Sequence, residues 1–328
     1  MPDYKALVVR EAENNFETQI ETLPLSQLDD DAIRVKVNYS SLNYKDALSA
    51  SGNKGVTREY PHTPGIDAVG KVVESNSDTI TVGESVIVTG YDLGMNTNGG
   101  LAEYIDVPAS WAVQKPKDLS DRQCMLIGTA GLTAAIGVEK LLQMQVGNAL
   151  PIAVTGASGG VGCCAVALLA SLGFNVTAIS GKPDIANALL AAGASTVIGR
   201  EALEASKRPI EKPAFSGAID TVGGDSLVSL LKKCAHSGSV ACCGLAQSPA
   251  LSGLSVFPFI LRGVNLLGID SVEIPIQHKQ ALWRKLANDW HFTLPDSLVS
   301  DIELEQVPEQ LPRFLDGSIT GRLVVKIT

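Results

Sequence analysis

A long uncharged stretch with a glycine cluster at its centre constrains the fold of this chain most strongly. No charged residue lies between Lys140 and Lys182, and residues 155–162 within this stretch read TGASGGVG. A transmembrane helix needs about 20 consecutive apolar residues, whereas glycines and a proline divide this stretch into short segments. The pattern therefore predicts a buried strand, a tight turn, a helix and a second strand, and no membrane span.

The glycine cluster resembles the dinucleotide-binding fingerprint G-x-G-x-x-G, in which Gly159 and Gly162 match and Ala157 replaces the first glycine. Backbone N–H groups in such a turn approach a pyrophosphate, and the N-terminus of the following helix favours negative charge. Glycines also cluster in ordinary tight turns, so the interpretation depends on the strand before the cluster and the helix after it. The residues expected to contact the pyrophosphate are Ser158, Gly159, Gly160 and Val161.

The end of the next predicted strand indicates which dinucleotide binds. An NAD site usually has Asp or Glu here, which accepts a hydrogen bond from the ribose 2′-hydroxyl. This chain has Ser180, Gly181 and Lys182 at that position, and Arg200 follows the third predicted strand. Because a hydroxyl and cations suit a 2′-phosphate, we expect NADPH. The alternative is that both cations are ordinary surface charges.

The character of the chain changes near residue 120. Before it, alternating apolar residues, as in 32–39, and glycine-containing turns predict a partly open β-barrel. After it, strands alternate with helices, which predicts βαβ units and a doubly wound parallel sheet of the Rossmann type. The expected fold class is α/β, with a catalytic domain at 1–124 plus 274–328 and an NADP-binding domain at 125–273.

Charge and cysteine content exclude several classes of function. The net charge of −9 opposes binding to nucleic acid through its phosphates. Six cysteines without a Cys-x-x-Cys pair predict buried thiols in a reducing compartment rather than a zinc ribbon or a disulfide framework. The N-terminal sequence lacks the apolar segment of a signal peptide. We therefore expect a cytoplasmic protein that binds neither nucleic acid nor a membrane.

Four short segments carry a resemblance to a known superfamily. They are PGIDAVG at 64–70, VGESV at 82–86, GGLAEY at 99–104 and GTAGLTA at 128–134. With the two-domain pattern, they resemble the medium-chain dehydrogenase/reductase superfamily. This resemblance implies a GroES-like catalytic domain beside the Rossmann domain.

Three more segments narrow the resemblance to one branch. NYKD at 43–46, SGK at 180–182 and RGVNLLGIDS at 262–271 are similar to acrylyl-CoA reductases, whose relatives are often called quinone oxidoreductases. The resemblance implies NADPH-dependent reduction of an activated C=C bond, as in the conversion of acrylyl-CoA to propionyl-CoA. Two alternatives stay open: a quinone reductase of broad specificity, and a cofactor-bound binding protein without catalytic activity.

The same resemblance bears on metal binding. Zinc-dependent members have a cysteine near the NYKD position and a His-Glu pair after the Pro-Gly. This chain has Tyr44-Lys45-Asp46 and Ile66-Asp67 there, and no cysteine at 90–110. Its histidines show no ligand spacing. We therefore expect a metal-free site.

Several residues are candidates for the chemistry. The Tyr44 hydroxyl is placed either to donate to the substrate carbonyl and relay a proton, or only to pack against the cofactor. Asn43 either binds substrate or braces the loop, and Asp46 and Asp67 are weaker candidates for orienting other groups. Further residues expected at the cofactor are Tyr44, Thr129, Thr133, Leu245, Ile269 and Ser271. Candidates for the phosphates of a CoA thioester, each equally a surface charge, are Lys54, Arg58 and Arg262.

The last predicted strand of the Rossmann sheet, VNLLGID at 264–270, is uncharged until its final residue. An edge strand of this kind invites pairing with another strand. In the superfamily this strand often joins the sheets of two subunits, so the resemblance implies a homodimer.

Overall fold

The structure is a computed structural model that describes residues 3–13, 15–203 and 207–328. The strands are β1 (Asp3–Glu11), β2 (Phe16–Pro24), β3 (Ala32–Leu42), β4 (Asp67–Ser75), β5 (Ser85–Thr89), β6 (Tyr104–Pro108), β7 (Ala112–Gln114), β8 (Ile152–Thr155), β9 (Val176–Ile179), β10 (Thr196–Ile198), β11 (Phe215–Asp220), β12 (Cys234–Cys242), β13 (Asn265–Gly268), β14 (Val299–Glu303) and β15 (Arg322–Lys326). The helices are α1 (Tyr44–Ala50), α2 (Asp121–Gln143), α3 (Gly160–Ser171), α4 (Ala186–Ala191), α5 (Gly224–Lys233), α6 (Phe257–Arg262), α7 (Ile276–Ala287) and α8 (Val307–Leu315).

The chain forms two compact units. The first contains the residues up to Thr129 together with Val272–Ala287 and Val299–Thr328, and the second contains Ala130–Ser271 and Asn288–Leu298. The sequence analysis places the domain boundaries at 124/125 and 273/274 and assigns Asn288–Leu298 to the catalytic domain, whereas the compact units divide after Thr129 and after Ser271 and include Asn288–Leu298 in the second unit. Four apolar side chains of that segment are buried, namely Trp290, Phe292, Leu294 and Leu298.

The first unit is built around a mostly antiparallel sheet with the strand order β14-β15-β3-β4-β5-β7, and β6 pairs with β3. Strand β3 shows the predicted alternation, because Ile33, Val35 and Val37 are fully buried in the core. Tyr39 is only half-buried, since a bulge between Val37 and Tyr39 shifts the pairing of β3 with β4. β1 and β2 form a separate antiparallel pair.

The second unit contains a six-stranded parallel sheet with the order β10-β9-β8-β11-β12-β13. This is the strand order of a Rossmann fold, with the switch point between β8 and β11. Every residue of β8, β9 and β11 is buried, as expected for parallel strands covered on both faces. β13 lies at the edge of the sheet, as predicted, and its residues alternate in exposure.

Helix α2 is long and apolar enough to cross a membrane, but 72% of its most apolar window is buried inside the protein. It begins with a capping box, in which Ser120 and Gln123 bond reciprocally. It is interrupted at Gly128, where φ is +48° and ψ is −157°. The interruption at Gly128 turns the backbone N–H of Thr129 out of the helix.

Candidate functional site

The phosphate-binding turn lies between β8 and α3, at the carboxyl end of the central strand. Gly156 has φ of +58°, and a Cβ there would lie 2.2 Å from the Thr221 hydroxyl oxygen. A Cβ on Gly162 would lie 2.2 Å from the Gly156 carbonyl oxygen, so only glycine allows the helix to pack this close. The left-handed turn is thus made by Gly156 and not at Ala157, where we had aligned the first glycine of the fingerprint.

The start of α3 leaves space for a ligand. The residue before the helix, Gly159, has extended backbone, and a Cβ there would approach its nearest neighbour only to 3.3 Å. Gly159, Gly160 and Val161 are half-buried, and Ser158 is buried. A glycine turn before a helix of this length is an anion-binding arrangement, so the residues present fit a dinucleotide pyrophosphate.

The four residues expected at the adenosine ribose are brought together at the carboxyl ends of β9 and β10. The Ser180 hydroxyl accepts a hydrogen bond from the Lys182 backbone N–H at 3.1 Å. The Arg200 guanidinium lies against Gly181, because a Cβ there would be 2.3 Å from Arg200 Nε. A nearby acid, Glu201, has its carboxylate against Gly199. The exposed Arg200 side chain suits a 2′-phosphate.

Four further cofactor candidates lie in the second unit, and two of them are in contact. Thr133 Oγ1 donates to Ser271 Oγ at 2.8 Å. Ile269 follows β13, and its side chain lies beside Gly137, where a Cβ would be 3.0 Å from Ile269 Cδ1. Leu245, after β12, is 62% exposed, a large apolar side chain open to a ligand at the carboxyl edge of the sheet.

The first unit contains a buried carboxylate, Asp46, in the first turn of α1. Its oxygens accept hydrogen bonds from the backbone N–H groups of Asn43, Gly65 and Ile66, at 2.7, 3.1 and 3.0 Å. Burial and the neighbouring Asp67 raise the pKa of Asp46 to about 7, while these N–H donors lower it. Asp46 thereby joins the start of α1 to the loop before β4.

A second buried carboxylate, Asp67, begins β4. It accepts hydrogen bonds from Ser41 Oγ at 2.6 Å, Asn43 Nδ2 at 2.8 Å and Thr129 Oγ1 at 2.5 Å. The Thr129 backbone N–H also donates to it, because the interruption at Gly128 turns that group out of the helix. Thr129, expected at the cofactor, therefore uses its hydroxyl proton and backbone N–H on Asp67.

A buried cation that the sequence analysis did not identify completes this cluster. Arg322, the first residue of β15, is 2% exposed. It donates to Ser41 Oγ at 2.8 Å and to the backbone carbonyls of Leu126 and Met125 at 2.9 and 3.1 Å. Ser41 donates to Asp67 in turn and bridges the two charges. A charged residue opening the otherwise apolar strand RLVV was the available sequence signal.

Tyr44 is presented to solvent by this frame. It is the first residue of α1 and is 46% exposed. The preceding residue, Asn43, is fixed on both sides, since its amide bonds Asp67 and its backbone N–H bonds Asp46. These hydrogen bonds connect Asn43 to both carboxylates. A phenol on a fixed backbone can donate a hydrogen bond to a bound ligand.

The residues present do not fit a zinc ion. Asp46 and Asp67 stand where zinc-dependent enzymes have ligands, and their oxygens already accept protein N–H and O–H groups. Neither a thiol nor an imidazole is among the groups that bond these two carboxylates. Within residues 3–13, 15–203 and 207–328, no group of three or more His, Cys, Asp or Glu side chains could hold a metal.

Two family models match the chain: the alcohol dehydrogenase GroES-like domain at residues 29–117 and the zinc-binding dehydrogenase domain at 160–288. The name of the second model refers to zinc binding. This chain has Asp46 and Asp67 at the positions where zinc-dependent enzymes have ligands. The matched ranges fall mainly in the sheet of the first unit and in the parallel sheet of the second.

Three relatives are similar over almost their whole length. "Putative quinone oxidoreductase YhfP" of Bacillus subtilis (strain 168) is 40% identical, with 99% of each chain covered. The acrylyl-CoA reductase AcuI of Ruegeria pomeroyi is 38% identical, again with 99% of each covered. The YhdH oxidoreductase of Salmonella enterica, solved in complex with NADP, superposes with a TM-score of 0.93 at 39% identity, covering 99% of this chain and 100% of that one.

A crystal structure of the same YhfP, solved with NAD bound, superposes with a TM-score of 0.94 at 39% identity, covering 99% of this chain and 100% of that one. The fold, the strand order and the identity along the whole chain agree. The chain belongs to the medium-chain dehydrogenase/reductase superfamily of oxidoreductases, in the branch that contains YhfP and the acrylyl-CoA reductases.

Proposed function

We propose that the protein is an NADPH-dependent reductase of C=C bonds conjugated to a carbonyl group, and that it converts acrylyl-CoA to propionyl-CoA in the cytoplasm. The observation that carries the proposal is the anchored Tyr44: a half-exposed phenol next to a braced Asn43. It occurs in a chain that is 38% identical to an acrylyl-CoA reductase over 99% of its length.

NADPH, when bound, supplies a hydride from its nicotinamide ring. The glycine turn at 156–162 binds the pyrophosphate, and Ser180, Lys182 and Arg200 bind the 2′-phosphate. The nicotinamide side of the site is lined by Thr133, Leu245, Ile269 and Ser271. Similar proteins have been solved with NADP and with NAD. The preference for NADPH therefore depends on the side chains of Ser180, Lys182 and Arg200 in this chain.

Tyr44 donates a hydrogen bond to the thioester carbonyl oxygen, where negative charge develops during reduction. The same hydroxyl, or a water that it orients, delivers the proton that the α-carbon takes up. Asn43 and Asp46 are positioning residues, because their polar groups bond protein atoms and hold the start of α1 in place. Asp67 and Arg322 support that frame from beneath.

A second candidate function is reduction of quinones by NADPH. It is favoured by the identity of 40% to YhfP over 99% of this chain, which exceeds the 38% to AcuI of Ruegeria pomeroyi. An exposed phenol suits a flat apolar ring as well as an acyl group. In this case Tyr44 donates to a quinone oxygen, and no carbon is protonated.

A panel of substrates tests the proposal. The purified protein is given NADPH or NADH with acrylyl-CoA or a simple naphthoquinone, and oxidation of the cofactor is followed by absorbance. We expect the highest kcat/KM with NADPH and acrylyl-CoA. A higher kcat/KM with the naphthoquinone would establish the second function, and equal values for the two cofactors would remove the preference for NADPH. Turnover of neither acceptor would indicate a binding protein.

We also propose a homodimer formed through the edge strand β13. The segment that precedes β13 in the chain carries four exposed apolar side chains on and before α6, namely Val256, Phe257, Ile260 and Leu261. A second copy would pair with the open edge and cover these side chains. Light scattering after size exclusion should give the dimer mass, and replacing Ile260 by Asp should shift it to the monomer mass.

A further inference from the structure

Two of the three cations considered for CoA phosphates are used elsewhere in the structure. Arg262 donates to the backbone carbonyls of Lys232, Cys234 and Glu211, so its guanidinium joins the end of α5 and the start of β12 to the segment before β11. Lys54 is ion-paired with Glu11 at 3.0 Å. These contacts leave Arg58 as the remaining candidate of the original three.

The Lys45 side chain and the Arg58 backbone contact the same loop of the first unit, the one that carries Met95 and Asn96. Lys45 Nζ lies 4.0 Å from Met95 Sδ, and the Arg58 backbone N–H donates to Asn96 Oδ1 at 3.2 Å. The loop that carries Met95 and Asn96 is held closed by Asp92, whose carboxylate accepts from Asn96 Nδ2 at 2.8 Å. Within the described parts of the chain, neither Lys45 nor Arg58 has a carboxylate within ion-pair distance.

Lys45 lies next to the proposed site, because it is the neighbour of Tyr44 on α1. Lys45 follows Tyr44 directly on α1, and successive residues of a helix point about 100° apart. The two side chains therefore diverge, so that a ligand with its acyl group at Tyr44 can extend its remaining length towards the Met95–Asn96 loop. Arg58 is exposed and Lys45 is half-buried, so both are accessible.

The chemistry of the acceptor makes such a pair necessary. A CoA thioester carries a diphosphate and a 3′-phosphate, whereas a quinone is neutral. The protein has a net charge of −9, which repels a polyanion unless cations are concentrated locally. Lysine and arginine are the side chains that bind phosphate by charge-assisted hydrogen bonds.

We propose that Lys45 and Arg58 bind phosphate groups of the CoA moiety and thereby determine the specificity for CoA thioesters over neutral acceptors. This inference rests on the proposed function, since it assumes that the acyl group is reduced at Tyr44. It makes the two cations specificity-determining residues with no role in the reduction itself.

The test compares acrylyl-CoA with acrylyl-pantetheine, a thioester that has the same reacting group and no phosphate. Lys45→Ala and Arg58→Ala should each raise KM for acrylyl-CoA about tenfold, the effect of losing one charge-assisted contact, with kcat unchanged. Kinetics with acrylyl-pantetheine should not change. Lys45→Arg should keep the wild-type KM, and Lys5→Ala, which removes an exposed lysine paired with Glu305 at 3.2 Å, is the matched control.

Salt provides a second measurement. KM of the wild type for acrylyl-CoA should rise with ionic strength. This dependence should weaken in the double variant that combines Lys45→Ala and Arg58→Ala. The inference is overturned if the wild type binds both thioesters equally well, or if the double variant keeps the wild-type KM for acrylyl-CoA. If the wild type reduces neither thioester but reduces a naphthoquinone, the proposed function fails as well, which distinguishes the two failures.

Discussion

Two regions concentrate polar and charged side chains. One is the Asp67–Arg322 cluster of the first unit, and the other is the Arg200 edge of the second unit, which comprises Ser180, Lys182 and Arg200 at the ends of β9 and β10. They differ in exposure. Asp67 is fully buried and Arg322 is 2% exposed, and protein groups bond both of them. Arg200 is exposed and lies against the bare backbone of Gly181. One region is closed by its own hydrogen bonds, and the other is open to a ligand.

This difference indicates what each region can contribute. Charges removed from water destabilise a protein unless every group has a partner, so a buried cluster fixes geometry and its loss acts on folding. An exposed cation loses little when it is unpaired, so its loss acts on binding. The comparison predicts that substitutions in the first region change stability, and substitutions in the second change cofactor selection alone.

The largest effect is expected for Arg322→Ala. It leaves Asp67 buried without the nearby cation and removes the donor from the carbonyls of Met125 and Leu126. We expect a loss of about 3–5 kcal/mol in the free energy of unfolding, measured with urea. The control is Arg122→Ala, whose exposed ion pair with Asp301 should contribute at most about 1 kcal/mol. Equal losses for the two variants would refute the distinction between the regions.

The pH dependence of stability sharpens the description of the buried region. In the folded protein, the pKa of Asp46 is raised from the ordinary value of 3.8 to about 7. Between these values the folded protein holds a proton that the unfolded chain releases, so stability falls as pH rises through this window. The full shift in pKa corresponds to about 4 kcal/mol in the free energy of unfolding. Asp46→Asn lacks this pH dependence.

Urea unfolding of the wild type and Asp46→Asn between pH 4 and pH 8 measures this effect. The amide replaces one acceptor with a donor facing the Asn43 N–H, which lowers stability equally at every pH. The wild type should lose stability relative to this variant as pH rises. If it gains stability instead, the three backbone N–H donors dominate and the carboxylate is ionised in the folded protein.

Tyr44→Phe asks whether the buried frame serves catalysis as well as folding. The side chain is 46% exposed, so removing its hydroxyl should change the free energy of unfolding by less than about 0.5 kcal/mol. If Tyr44 delivers the proton, kcat with acrylyl-CoA should fall about 100-fold with little change in KM for NADPH. A change in KM for NADPH at constant kcat would assign Tyr44 to cofactor packing.

The second unit was the more predictable from sequence, for a physical reason. Its signals are local: continuous apolar runs become the fully buried strands β8 and β9, and glycines lie where the chain turns. Even the error there is local, because the left-handed turn falls at Gly156, one residue before the expected position. Arg200 could be placed near Gly181 because both follow strands that end at the same edge of a parallel sheet.

The buried cluster was not predictable in this way, because its members are distant in sequence. Arg322 bonds Ser41 across a separation of 281 residues, and no local pattern connects them. Thr129 was assigned to the cofactor from its glycine-containing neighbourhood. The backbone at Gly128, with φ of +48°, directs its N–H and hydroxyl to Asp67, and such a conformation is decided by packing around the glycine rather than by the sequence next to it.

The smallest expected effect concerns the exposed region and tests its open character. Arg200→Ala removes one cation from the proposed 2′-phosphate site, and we expect kcat/KM with NADPH to fall about tenfold. Activity with NADH and the urea unfolding curve should not change, because the guanidinium is exposed. The measurement is steady-state kinetics with both cofactors at fixed ionic strength.

Glu201→Gln is the matched control for Arg200→Ala, since Glu201 is the next residue and its carboxylate lies against Gly199. Removing this negative charge should leave kcat/KM with NADPH unchanged or slightly higher, because one repulsion near the phosphate is lost. If Arg200→Ala lowered activity with NADPH and NADH equally, Arg200 would act on the fold of the β9–β10 edge and not on the phosphate. The two regions would then use their charges in the same way.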